Sequence, residues 1–203
     1  MAETRTGDDA LRIAHRRYAT TRQCVGRVSM MVHMSSSTQP KSIHMRDANL
    51  SGADLTGAIL TGTDLTGAIL RDAALIGAVL SSAKLVGADL TGVDLSGANL
   101  AGADLTGADL TGAVLVGADL NGTVLRGAKM IGASLGNANL FGTDLRDVDM
   151  SDAGLFKADL RDANLSGATL RDADFSEVVH NRSTGWPVGF TPPEATEDAR
   201  HHG

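Results

Sequence analysis

The chain has 203 residues, of which only 3% are aromatic, whereas glycine occurs 24 times. This composition does not suit a compact globular core and is typical of a solenoid whose interior is built from few residue types. Cys24 is the only cysteine, so an intramolecular disulfide and a zinc site built from several cysteines are both excluded. The net charge of −6 conceals an asymmetry, because residues 1–44 hold seven Lys or Arg and only three acids.

The first 42 residues are predicted to be a flexible, basic leader or a cap on the first part of the repeat that follows. Acidic residues stand where a secretory signal would be basic, and no apolar run of the required length follows them. No stretch of the chain is long and apolar enough to cross a membrane. We therefore expect a cytoplasmic protein without membrane contacts. Met30, Met31 and Met34 are alternatives to Met1 as the translation start.

A strict five-residue repeat begins at residue 43. From Met45 to Phe175 every fifth residue is Leu, Met or Phe, which gives 27 positions. The residue two before each is nearly always Ala and the residue two after is usually Gly, so the unit is Ala-(Asp/Asn)-Leu-(Ser/Thr)-Gly. A period of five fits neither a helix nor a long strand. Each unit is predicted to be a short extended piece, with Ala and Leu inward and the polar residues outward, followed by a turn at Gly.

This repeat resembles that of the pentapeptide-repeat family over about residues 43–180. The resemblance implies an all-β solenoid, a right-handed quadrilateral β-helix of about seven coils with four units in each 20-residue coil. Thr63, Thr123 and Thr143 replace the inward Ala at separations of 60 and 20 residues, which would place all three on one face.

The segment after the last unit resembles the Thr-x-Trp-Pro-x-Gly-Phe ending found in many members of that family. It implies that residues 181–203 form a C-terminal cap and tail, in which Trp186 and Phe190 cover the open end of the solenoid. The spacing from Thr191 to Glu194, with proline after the threonine, predicts a short helix over residues 192–199.

A candidate acidic strip lies between Lys84 and Arg126, where the sequence contains no base. Its members are Asp89, Asp94, Asp104, Asp109 and Asp119. One interpretation is a surface for a basic partner, and the other is that outward Asp and Asn side chains hydrogen-bond to their neighbouring backbone. Asp89 and Asp109 are expected to stack in successive coils, where like charges cost stability.

A candidate apolar contact patch lies near the start of the repeat. It consists of Ile59, Ile69, Ile76 and Val79, all predicted to point outward. The patch is interpreted either as covered by residues 1–42 or as a site of oligomerisation. Val114, Val116, Phe141 and Phe156 are also predicted to point outward and are interpreted as scattered single positions.

No catalytic constellation can be assembled, because His15, Cys24 and His33 lie in the leader while His44 and His180 lie at opposite ends of the repeat. No metal-ligand spacing occurs, and the glycines follow the repeat instead of a phosphate-binding loop. We predict no enzyme, no cofactor and no metal. The leading hypothesis is a non-catalytic scaffold that binds an unknown protein.

A second hypothesis comes from the resemblance alone. Some pentapeptide-repeat proteins mimic duplex DNA and bind DNA gyrase or another type II topoisomerase, inhibiting it or protecting it from quinolones, usually as homodimers joined through their C-terminal ends. Residues 45–180 carry a net charge of −9, which is about half the charge density of B-DNA over the same length. Neither hypothesis involves direct binding to nucleic acid.

Overall fold

The computed structural model describes residues 45–194, which contain no helix. Each five-residue unit places one residue in a parallel β-bridge with the residue 20 positions further on, from Asn49↔Ile69 to Asp159↔Val179. The bridges are isolated, so the strands are single-residue contacts and not longer segments. Because four units complete a coil before the pairing repeats, the predicted quadrilateral β-helix is confirmed.

The 20-residue step sorts the bridging residues into four parallel ladders, which we call faces 1 to 4. Face 1 comprises Asn49, Ile69, Asp89, Asp109, Lys129, Asp149 and Thr169, and face 2 comprises Asp54, Ala74, Asp94, Val114, Ser134, Gly154 and Asp174. Face 3 comprises Ile59, Val79, Asn99, Asp119, Asn139, Asp159 and Val179, and face 4 comprises Asp64, Lys84, Asp104, Val124, Asp144, Asn164 and Gly185. Faces 1 and 3 lie on opposite sides of the coil, as do faces 2 and 4.

Backbone hydrogen bonds link each unit to the next coil and close its own turn. The Leu55 N–H donates to the Ala74 carbonyl over 2.8 Å, and the Ala74 N–H donates back to the Ala53 carbonyl over 2.9 Å. The Ala58 N–H donates to the Leu55 carbonyl over 3.0 Å, which closes a turn whose third residue is Gly57 with a φ of 66°. A positive φ at that position is the signature of a type II turn and explains why Gly recurs there.

The interior consists of the Leu and Ala columns, and nearly every one of these side chains is fully buried. Burial of each Leu stabilises the fold by roughly 1.5–3 kcal/mol relative to exposure. Thr63, Thr123 and Thr143 are buried on the inner side of face 4, so their predicted placement on one face is confirmed. The Thr123 hydroxyl donates to the Leu100 carbonyl over 2.9 Å, which satisfies a polar group inside the apolar column.

The coil continues beyond Phe175, where the five-residue count had ended, and beyond the predicted boundary at residue 180. Val179 bridges Asp159, and Gly185 bridges Asn164 with a step of 21 residues. One residue is therefore inserted in the last unit. His180 is buried at the next interior position. Because of the inserted residue, the interior position after His180 is Trp186, whereas a fixed period of five would place it at residue 185.

Aromatic side chains fill the C-terminal end of the interior. Trp186 and Phe190 stack with their ring centroids 5.2 Å apart, and Phe175 packs edge-on against both rings. His180 lies edge-on to Trp186 at 5.4 Å, and its Nε2 lies 3.0 Å from the Pro193 carbonyl oxygen. Residues 192–194 are not helical. The rest of the predicted 192–199 helix and the predicted leader over residues 1–42 lie outside the described residues.

Candidate binding surfaces

Outward aspartates are held by the turns that follow them. The Oδ1 atom of Asp94 accepts both the N–H of Ser96, at 2.9 Å, and its hydroxyl, at 2.6 Å. Thr106 and Thr111 make the same pair of hydrogen bonds to Asp104 and Asp109. The interpretation that these acids bond to their neighbouring backbone is therefore confirmed, and it explains why Asp and Ser or Thr recur two residues apart.

The prediction that five aspartates form one acidic strip is wrong. Asp89 and Asp109 lie on face 1, but Asp94 lies on face 2, Asp119 on face 3 and Asp104 on face 4. Consecutive five-residue units point to successive faces, and only residues 20 apart stack. The five carboxylates therefore surround the rod.

Cations from adjacent coils offset the repulsion expected between Asp89 and Asp109. The Arg71 Nε donates to an Asp89 carboxylate oxygen over 2.5 Å, and the Lys129 Nζ lies 3.7 Å from an Asp109 oxygen. Partial burial raises the pKa of Asp89, but hydrogen bonds from Thr91 and Arg71 outweigh this effect and hold the pKa below its ordinary value. The sequence between Lys84 and Arg126 contains no Lys or Arg, but in the folded rod Arg71 and Lys129 lie beside two of its aspartates.

Similar contacts lower the pKa of other carboxyl groups along the rod. The Thr66 hydroxyl lowers the pKa of Asp64, and the Ser151 hydroxyl lowers that of Asp149. The Arg146 guanidinium lowers the pKa of Asp144, and the same hydrogen bond raises the pKa of Arg146. These shifts stabilise turns and ion pairs, and they do not converge on one place.

The candidate apolar patch is divided between opposite sides of the rod. Ile59 and Val79 are bridged to each other on face 3, and Ile76 lies in the turn that leads into face 3. Ile69 lies on face 1, between Asn49 and Asp89. Inclusion of Ile69 in the patch was therefore wrong, for the same reason that the acidic strip was wrong.

Further exposed apolar side chains lie beside face 3, and the interpretation that Val116, Phe141 and Phe156 are scattered single positions was wrong. Val116 and Phe156 occupy the turn that leads into this face, and Phe141 occupies the turn that leaves it. Among the described residues, five of the seven exposed large apolar side chains lie on face 3 or these turns, each 38–50% exposed. They are Ile59, Ile76, Val116, Phe141 and Phe156. The sequence spacing could have predicted this grouping, since Ile76, Val116 and Phe156 are separated by 40 residues, or two coils.

We call face 3 together with its two bordering turns the apolar face. In its first five coils, residues 56–62, 76–82, 96–102, 116–122 and 136–142, the only charged residue is Asp119. Face 1 and its turns carry eight charged residues over their first five coils, which are Arg46, Asp47, Arg71, Asp72, Asp89, Asp109, Arg126 and Lys129. In the sixth coil of the apolar face, the Lys157 Nζ lies 4.8 Å from the Phe156 ring centroid, a cation–π contact.

Residues 45–194 contain no group of three or more His, Cys, Asp or Glu side chains arranged to hold a metal ion. In the same part of the chain, no helix has the length and hydropathy needed to span a bilayer. The features that distinguish one side of the rod from another are therefore charge and apolar exposure.

A right-handed quadrilateral β-helix with an interior of Leu and Ala defines a class of solenoid scaffolds. This chain belongs to the pentapeptide repeat family, whose model of pentapeptide repeats matches 8 copies over residues 43–72, 73–112, 108–147, 118–155 and 149–179. A comparison with curated proteins finds no match.

Several solved structures are similar to this chain. HetL, a pentapeptide repeat protein involved in heterocyst differentiation regulation in the cyanobacterium Nostoc sp. strain PCC 7120, is 32% identical over 66% of this chain and 73% of its own, with a TM-score of 0.35. A pentapeptide repeat protein from the Arabidopsis thaliana thylakoid lumen is 41% identical over 53% of this chain and 72% of its own, with a TM-score of 0.38. QnrB1, a plasmid-mediated fluoroquinolone resistance protein, is 22% identical over 70% of this chain and 83% of its own, with a TM-score of 0.26.

Proposed function

We propose that this pentapeptide-repeat rod is a cytoplasmic, non-catalytic scaffold that binds a partner protein through its apolar face. The observation that carries the proposal is that the first five coils of this face hold four exposed large apolar side chains and a single charged residue, Asp119. An exposed apolar area rimmed by polar groups is typical of a protein interaction site. The other sides of the rod lack this combination.

The chemistry of the apolar face suits a protein better than a nucleic acid. Nucleic-acid binding requires Lys and Arg that neutralise phosphates, whereas residues 45–180 carry a net charge of −9. Interface centres are depleted in charge and enriched in aromatic side chains. Phe141 and Phe156, both exposed at the borders of face 3, match that description.

The distribution of charge gives less support to a mimic of duplex DNA that targets gyrase. B-DNA carries one charge per ~1.7 Å, or about 19 over a rod of roughly 32 Å. No face of this rod has more than three net negative charges among its bridging residues. A gyrase supercoiling assay, with and without a quinolone, is the direct check, and inhibition or protection would favour the mimic over our proposal.

Capture from a native cell extract tests the proposed binding face. Val116→Asp places a charge on the apolar face, and Val86→Asp places the same charge at the same repeat position on the opposite corner of the coil. We expect Val116→Asp to lose proteins that the parent and Val86→Asp both retain. Equal capture by all three would contradict the proposal.

A further inference from the structure

Side chains of alternating size line one border of the apolar face. Along the turn that leads into face 3, successive coils present Thr56, Ile76, Ser96, Val116, Gly136 and Phe156. Large apolar residues thus alternate with small ones at intervals of two coils, about 9.6 Å. On the other border, along the turn that leaves face 3, the large Phe141 lies three coils after the small Ser81 at the corresponding turn position. The surface is a row of projections and recesses of equal spacing.

Charge decides where two copies of this chain could approach each other. Each copy has a net charge of −6, so contact is opposed wherever acidic groups face acidic groups. The first five coils of the apolar face hold one charged residue, against eight on face 1 and its turns. Over these coils a second copy on the apolar face would therefore desolvate one charged residue per chain, against eight on face 1 and its turns, and desolvation of charges is costly.

We propose that a second copy of this chain covers the apolar face, forming an antiparallel pair with two-fold symmetry. The inference rests on the proposed function of that face and names its occupant. In an isologous interface the same patch serves both copies, so each residue i that contacts j is matched by j contacting i. The two-fold axis lies in the interface and is perpendicular to both rods. The turns that lead into face 3 in one copy therefore contact the same set of turns in the other copy.

A register with the axis between the coils of Ser96 and Val116 fits large residues onto small ones. Val116 then lies over Ser96 of the other copy, and Ile76 lies over Gly136. By the same symmetry, Phe156 lies over Thr56 and Phe141 over Ser81. All four large side chains at the borders therefore meet a small residue, which allows close packing there of the kind found at stable interfaces. On face 3 itself the same register sets Ile59 over Asp159 of the other copy.

Electrostatics favours the same register. Asp119 of one copy then faces Asn99 of the other, whose Oδ1 accepts the Ala101 N–H over 3.0 Å, so its amide nitrogen is the group that can donate to the carboxylate. Shifting the axis onto the coil of Val116 would place Asp119 against Asp119 and Ile76 against Phe156. That arrangement opposes like charges and sets projection against projection.

Light scattering on the full chain tests the pair directly. We expect the parent protein and Val86→Asp to have twice the mass of one chain, and Val116→Asp to have the mass of one chain with an unchanged circular-dichroism spectrum. A monomeric parent would overturn the proposal. A dimer that survives Val116→Asp but is lost in Val188→Asp, at the C-terminal end, would also overturn it in favour of end-to-end association.

Cysteine cross-linking tests the register. In a Cys24→Ser background, Ser96→Cys and Val116→Cys are prepared separately and oxidised alone or after mixing. We expect a disulfide-linked dimer in the mixture and none in either variant alone. Cross-linking of Val116→Cys to itself would overturn the register. If the parent is monomeric while Val116→Asp still loses captured proteins, the pair is wrong and the binding face stands; if Val116→Asp changes neither mass nor capture, both are wrong.

Discussion

Faces 1 and 3 are built on the same interior and differ only in what they present to solvent. Leu110, behind Asp109 on face 1, and Leu120, behind Asp119 on face 3, are both fully buried. Over their first five coils, however, face 1 and its turns carry eight charged residues and face 3 with its turns carries one. The five-residue period therefore determines the rod, and the 20-residue period determines which side of the rod can bind.

The largest effect on stability is expected in the interior, which is equivalent behind the two faces. Leu110→Ala and Leu120→Ala each leave a cavity in the interior, and each should lower the free energy of unfolding by about 2–5 kcal/mol. Urea denaturation followed by circular dichroism measures both. The two losses should be similar, and a much smaller loss for either variant would show that the interior is not equivalent behind the two faces.

A smaller difference is expected at the turns, where face 1 has an acid that face 3 lacks. Gly92 and Gly97 have φ values of 65° and 63°, so alanine should cost about 1–2 kcal/mol at either position. A Cβ on Gly92 would also lie 2.5 Å from the Asp72 Oδ1, whereas a Cβ on Gly97 meets nothing within 4 Å. Gly92→Ala should therefore be the more destabilising in thermal unfolding.

The Asp72→Gly background provides the control for this comparison. Removal of the carboxylate should bring the cost of Gly92→Ala down to that of Gly97→Ala. If the two costs still differ there, the contact with Asp72 is not the cause.

The interior was predictable from the sequence because a large apolar residue recurs every five residues without exception between Met45 and Phe175. The surface was not predicted correctly, because residues were grouped by their closeness in the chain, whereas only residues 20 apart lie on the same face. Ile69 and Asp94 were placed with neighbours that lie on other faces, and Val116 was treated as isolated although Ile76 lies two coils away in the same column. Trp186 was predicted at the end, but its interior position depends on one inserted residue that the periodicity does not reveal.

Acid should weaken the rod through the carboxyl groups whose pKa is lowered. Asp64, Asp89 and Asp144 have folded-state pKa values below the ordinary 3.8. Their contribution to stability is therefore complete above that value and is lost as the pH falls through the lower folded-state values. We expect the free energy of unfolding to be level near neutrality and to fall below about pH 4.

Arg71→Gln measures how much of this acid destabilisation comes from the ion pair between Arg71 and Asp89 on face 1. Since the Arg71 side chain of its ion pair with Asp89 is largely exposed, the loss at neutral pH should be about 1 kcal/mol, and the acid dependence should become shallower. Arg182→Gln, at an exposed position in the last coil, serves as the control. An unchanged acid dependence in Arg71→Gln would contradict the assigned role of the pair.

The smallest effect on stability is expected on the outward columns themselves. Val116→Asp and Val86→Asp alter side chains outside the interior, so each should change the free energy of unfolding of the isolated chain by no more than about 0.5 kcal/mol. Denaturation at a concentration too low for association measures this. A large loss in Val116→Asp alone would mean that the residue supports the fold.

The most direct test of the central claim is the rate of maleimide labelling at Val116→Cys and Val86→Cys, each in a Cys24→Ser background and each measured in native cell extract. If a protein covers the apolar face, Val116→Cys should be labelled more slowly than Val86→Cys in the extract, and the two rates should converge in urea. Equal protection of the two positions in the extract would contradict the assignment of binding to the apolar face.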